Sequence, residues 1–184
     1  MQPARQDLPV TPGTTYRDIV RLMQPEFAYH AITQIAGAPV LFTVPAHGLA
    51  ADWLVWVRGV AGMPAANAEP QRQNPHRAKR LDQDTLEINN LSADGLNPTG
   101  GQLIYRLPVD LAGAAVAMRF LDKAGAELLA LSLGSGLVII GPGTIARELT
   151  PAQTGLLRGA CLTYEFDVIY ADGTVTRYYD GAIT

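Results

Sequence analysis

Cysteine is nearly missing from this chain of 184 residues: Cys161 stands alone, which excludes an intrachain disulfide. No second cysteine or histidine lies near it in sequence, so a zinc site is not expected there, and its apolar neighbours mark it as a small buried hydrophobe. Charge is also scarce, at 17% of residues, with a net charge of -3. That balance gives no general attraction to a phosphate backbone and predicts no specific nucleic-acid binding, although a local basic patch is compatible with it. No apolar run approaches the roughly 18 residues of a membrane span, and MQPARQDLPVTPGTTY lacks the apolar segment of a secretion signal. The expectation is a globular protein with no membrane partner, assembled in a reducing cytoplasm.

Catalytic signatures are equally sparse. His47, in VPAHGLAAD, has only Asp52 nearby, and a Pro-Ala-His-Gly corner between two strands accounts for it without chemistry. His30 and His76 stand at no metal-ligand spacing. The glycines of LGSGLVIIGPGT flank a short β run, with no helix and no Lys-Ser or Lys-Thr to follow, which disfavours a phosphate loop. Asp110, Asp122, Asp167, Asp172 and Asp180 are scattered, with no closely spaced acidic pair of the glycosidase kind. No catalytic residue, metal ligand or cofactor is assigned, and the chain is not read as an enzyme.

What is abundant is period-two alternation. From Tyr29 the runs YHAITQI, PVLFTV, WLVWVRGV, TLEINNL and QLIYRLPV read as short strands between turn residues. Hairpins follow in AAVAMRFLDKAGAELLALSL, turning at Lys123 to Gly125, and in LVIIGPGTIAREL, turning at Gly141 to Gly143. The final stretch CLTYEFDVIYADGTVTRYYDGAIT turns at Asp172-Gly173, with Tyr164, Phe166, Val168 and Tyr170 on one face. Thr150, Pro151 and Gln153 form a compact helix start. Near the beginning, Thr15 as cap, with Tyr16, Ile19, Val20 and Met23 on one face before Pro25, predicts a short helix. The fold class is therefore all-β, with two small β domains. An extended arm and helix over 1–28 precede a barrel-like module over 29–105 and an antiparallel sandwich over 106–184.

Interaction surface is sought in three places. The arm and helix offer Tyr16 and Met23. The polar, proline-containing stretch 64–80 reads as a long basic loop carrying Arg72, Arg77, Lys79 and Arg80. Trp53 and Trp56, three apart on a strand, must face opposite ways, which puts one in the core and the other outward at an interface position.

Two stretches also carry a resemblance. ITQIAGAPVLFTVPAHGLAADWLVWVRGVAGMPAAN followed by LDQDTLEINNL resembles a small β module of tailed-bacteriophage structural proteins, itself similar to a β insert of ubiquitin-activating enzymes. It departs from that module in the basic insertion at 69–80. PVDLAGAAVAMRFLDKAGAELLALSL, LTPAQTGLL and YEFDVIYADGTVTRYYDGAI together resemble the N-terminal β-sandwich of the upper-baseplate protein of lactococcal siphophages. The resemblance implies a virion protein of the tail, neck or baseplate, self-associating into a ring or other oligomer. Its partners would be portal or adaptor, tail tube, baseplate or fibre proteins. Two other roles fit the residues: a carbohydrate-binding module using Trp53 or Trp56, Tyr178 and Tyr179, and a capsid decoration protein.

Overall fold

The computed structural model describes residues 2–70, 72–159 and 162–184, so the expectation for Cys161 lies outside the described residues. The chain forms two compact units, one of residues 23–107 and the other of residues 1–22 together with 108–184. Both are built on strands, as the alternation predicts, with one short α-helix among the described residues.

The unit of residues 23–107 contains β3 (Met23–Ala31), β4 (Gln34–Ala36), β5 (Val40–Thr43), β6 (Trp53–Arg58), β7 (His76–Arg80), β8 (Thr85–Ile88) and β9, which runs from Gln102 to Pro108. They form one sheet in the order β3-β9-β6-β7-β8-β5-β4. Alternate residues point inward: Val40 and Phe42, Trp53, Val55 and Val57, Leu86 and Ile88, Leu103 and Tyr105. The sheet curls so that this face encloses its own core.

The other unit contains β1 (Ala4–Arg5), β2 (Tyr16–Arg21), β10 (Ala115–Leu121), β11 (Glu127–Leu133), β12 (Gly136–Gly141), β13 (Thr144–Leu149), α1 (Pro151–Leu156), β14 (Thr163–Ile169) and β15 (Val175–Ala182). Its sheet order is β1-β15-β14-β10-β11-β12-β13-β2. Val116, Met118 and Phe120 meet Tyr164, Phe166 and Val168 in the core. The hairpin turns fall where their residues predict. Asp122 caps the β10–β11 turn by accepting from the Ala124 and Ala126 N–H groups, and Gly173, at φ +83°, closes β14–β15. Thr150 and Gln153 complete a reciprocal capping box at α1.

Two expectations are corrected. The helix expected from Thr15 does not form: residues 16–21 are β2, and Met23 begins β3. The sequence is ambiguous because Tyr16, Asp18, Val20 and Leu22 also satisfy period two, and β13 supplies the ladder from Leu149↔Tyr16 to Thr144↔Arg21. Ile19, placed with Val20 on a helical face, instead points away from the core and is 49% exposed. The arm before β2 lies against its own unit. Ala4 and Arg5 pair in parallel with Tyr179 and Asp180, and Leu8 and Val10 enter the core. The stretch 64–80 is likewise not all loop. It holds a 3-10 turn at Pro64–Ala66 and ends in β7, where neighbouring β6 and β8 satisfy the backbone of a polar strand whose Ala78 alone is buried.

The chain leaves the second unit at Leu22 and returns at Pro108, and these crossings lie side by side. The Leu22 N–H donates to the Gly143 carbonyl (2.7 Å), and the Val109 N–H donates to the Leu22 carbonyl (3.0 Å). Gly143 fits this junction because a β-carbon there would stand 2.6 Å from the Leu22 carbonyl oxygen and 3.0 Å from the Val109 nitrogen.

Candidate interaction surfaces

The corner VPAHGLAAD is built around His47, whose side chain is fully buried. Its Nδ1 accepts from the Leu49 N–H (3.1 Å), which leaves Nε2 as the donor to the Asp82 carbonyl (3.1 Å). Tyr105 donates its hydroxyl to the His47 carbonyl, and the Tyr105 ring stacks on His30. Burial pushes the His47 pKa below its ordinary 6.5. Both ring nitrogens therefore hold backbone, and the imidazole works as a neutral corner brace. Asp52 does not join it: it accepts from the Arg80 N–H, while the Arg80 Nε donates to the Leu49 carbonyl.

Trp53 and Trp56 face opposite ways, as their spacing requires. Trp53 is core, donating its indole N–H to the Arg106 carbonyl (2.7 Å). Trp56 lies on the outer face of β6, half-buried, with its indole N–H on the Gln73 carbonyl (2.9 Å). Around it a second, smaller cluster forms outside the core. The Phe27 ring meets Trp56 edge to face at 5.9 Å and Tyr29 at 6.4 Å, and the Arg106 guanidinium sits 4.4 Å over Phe27. Ile104, opposite Trp56 on β9, is fully buried beneath this outer layer. Leu54, two residues before Trp56, is paired across β7 with Arg77. Sheet order thus puts Arg106 and Arg77 on either side of the Leu54–Trp56 stretch. Neither guanidinium has a carboxylate within ion-pair distance among the described residues, and the Arg106 Nε is buried with no acceptor.

The other residues singled out in the sequence are dispersed. Lys79 is paired with Glu87 (3.5 Å), Arg72 is exposed in the turn before β7, and Arg80 braces the His47 corner. Met23 packs against the core of residues 23–107, whereas Tyr16 belongs to the other unit. Phe27, Tyr29 and Arg106 were not marked by sequence. Pro25 conceals the first part of β3, which carries Phe27 and precedes the run read from Tyr29, and nothing in a linear pattern brings β3 beside β9.

In the second unit Tyr16 enters a polar cluster. Arg147 on β13, fully buried, donates through Nε (2.7 Å) and Nη2 to Asp18 on β2, and the Tyr16 hydroxyl donates to the same carboxylate (3.0 Å). Burial and the Asp18 charge raise the Tyr16 pKa to about 12. On the outer face of β14, Glu165 and Asp167 form a closely spaced acidic pair, in contrast to the scattered acids expected from sequence. Arg119 and Arg177 engage both, with Arg177 Nε 2.8 Å from Asp167. Tyr178 and Tyr179 are half-buried against the core, the former hydroxyl bonded to Tyr170 (2.6 Å) and the latter to the Arg21 carbonyl. On β12 the outward side chains are aliphatic. Val138 is 54% exposed and Ile140 52%, and Val138, Ala146 and Ile19 share one row across three strands.

Among the described residues no helix is long and apolar enough to cross a membrane. No family model matches the chain, and no curated protein matches it.

Proposed function

We propose that this chain is a structural component of a tailed-phage virion, an oligomeric tail, neck or baseplate adaptor that joins neighbouring particle proteins or fibres through the outer faces of its sheets. The observation that carries this reading is the outer face of β3, β9, β6 and β7, where Phe27, Tyr29 and Trp56 stand beside Arg77 and Arg106, guanidiniums without carboxylate partners among the described residues. Aromatic and arginine side chains on a rigid strand surface are the residue types that anchor protein interfaces. The sequence resemblance supplies the kind of assembly. The test is composition of the particle: the chain is expected in purified virions in fixed copy number, and located in a reconstruction at the neck, tail or baseplate. Its absence from washed particles overturns the reading, and location on the capsid shell selects a decoration protein.

A second reading, a module that binds host-surface carbohydrate, is favoured by Tyr29, which is 54% exposed beside Phe27 and Trp56. Trp53 is core and drops out of that reading, while Tyr178 and Tyr179 are engaged within their own unit. A glycan array distinguishes the two: binding that is lost in Tyr29→Ala supports carbohydrate recognition, and an array without signal removes it.

A further inference from the structure

We infer that one copy of this chain docks on the next through the acidic turn between β7 and β8, whose Leu81, Asp82 and Asp84 seat on the Leu54–Trp56 face between Arg77 and Arg106. The inference rests on the oligomeric reading above and names the contact that would build the oligomer.

Arg17, Lys79, Arg119, Arg147 and Arg177 each lie within ion-pair distance of a carboxylate. Arg77 and Arg106 do not, among the described residues, and neither do Arg58, Arg72, Arg80, Lys123 and Arg158; Arg106 stands apart because its Nε has lost water without gaining an acceptor, and Arg77 because it flanks the same outward stretch of β6. A guanidinium held over Phe27 without a carboxylate partner suits an incoming carboxylate, which its planar fork can meet. The matching group is on the same chain. The turn at 81–84 projects an exposed leucine, 42% accessible, followed by two aspartates. The Asp84 N–H holds the Asp82 carboxyl below the ordinary carboxylate range, so it stays ionised. Leu81 offers an apolar contact to the half-buried Leu54, and the aspartates offer charge opposite to the arginines.

Geometry makes the contact intermolecular. Arg77 and Asp82 lie five residues apart along one extended strand and its turn, roughly 15 Å, so the turn cannot fold back onto the face of its own copy. Two different patches that complement each other between identical chains form a head-to-tail contact, which closes into a ring or runs on as a fibre.

The full chain is to be sized by sedimentation velocity over a range of concentrations, alone and with two charge variants. The turn variant, Asp82→Asn with Gln83→Lys and Asp84→Asn, keeps side-chain oxygens to accept from the Asp84 and Ala46 N–H groups while reversing the charge. The face variant is Arg77→Glu with Arg106→Gln. Arg77→Glu alone, at an exposed strand position, serves if Arg106 proves necessary for folding. Each variant alone is expected to associate at least about tenfold more weakly than the wild type, and an equimolar mixture is expected to recover most of the loss, since reversed turn and reversed face are again complementary. Wild-type self-association that neither variant weakens, or a mixture no stronger than its parts, overturns this contact and leaves the assembly reading standing. A wild type that is monomeric throughout but present in virions does the same. Absence from virions overturns the assembly reading, while reciprocal rescue would still establish the contact.

Discussion

An imidazole whose two nitrogens each bond to backbone is committed to one protonation state. His47 accepts at Nδ1 and donates at Nε2, so a second ring proton would break the bond from Leu49. Its folded pKa lies below the ordinary 6.5, so the unfolded chain takes up the proton first as pH falls. Stability is therefore full above about 6.5 and declines as pH descends through that value towards the lowered folded one. Denaturant midpoints between pH 7.5 and 5 are expected to fall in the wild type and to fall less in His47→Ala. At pH 7.5 His47→Ala itself should cost about 2–4 kcal/mol, from the lost packing and the stranded Leu49 donor. The buried Arg147–Asp18 pair behaves differently. Removing Asp18 leaves Arg147 charged and dry, so Asp18→Leu should cost about 3–5 kcal/mol, whereas Arg147→Met, which leaves a carboxylate 25% exposed and still bonded to Tyr16, should cost less, and the double variant should recover much of the Asp18→Leu loss. A double-mutant cycle on chemical unfolding measures it.

At the scale of elements, legibility followed how locally each one is determined. The β10–β11 and β14–β15 turns were readable because Asp122 and Asp172-Gly173 carry their own backbone solutions, and α1 because its capping box lies within four residues. β2 is not legible because a segment with Thr15, Asp18 and spaced apolar residues suits either period, and the deciding partner, β13, lies about 125 residues later. β7 was hidden for a related reason: HRAKR looks like solvated loop until β6 and β8 stand on both sides. The aromatic half of the candidate face was out of reach, since only sheet order brings Phe27 to Trp56. The β12–β13 turn offers a direct check on the chain crossing. Gly143, at φ +54°, has backbone from Leu22 and Val109 where a side chain would begin, so Gly143→Ala should destabilise by about 2 kcal/mol or more. Gly13→Ala, at φ +83° but facing open space, should cost about 1 kcal/mol, and thermal unfolding of the two separates crowding from backbone strain.

The molecule as a whole divides into one continuous unit and one made of two chain segments. Residues 23–107 have their own sheet and core, so that fragment should unfold cooperatively when produced alone. Residues 108–184 lack β2, with Val20 and Leu22 of the core, and should stay unfolded unless a peptide of residues 1–22 is supplied. Circular dichroism of the two fragments, with and without the peptide, tests both expectations. The adjacent crossings at Leu22 and Val109 also set an order in time. On the ribosome, β2 emerges early, yet its ladder partner β13 is made only after the whole of residues 23–107 has passed, roughly 6–25 s later at ordinary elongation rates. During that interval the central unit can complete itself, while the segment Tyr16–Leu22 waits without its sheet, its exposed apolar side chains available to any chaperone that holds nascent chains.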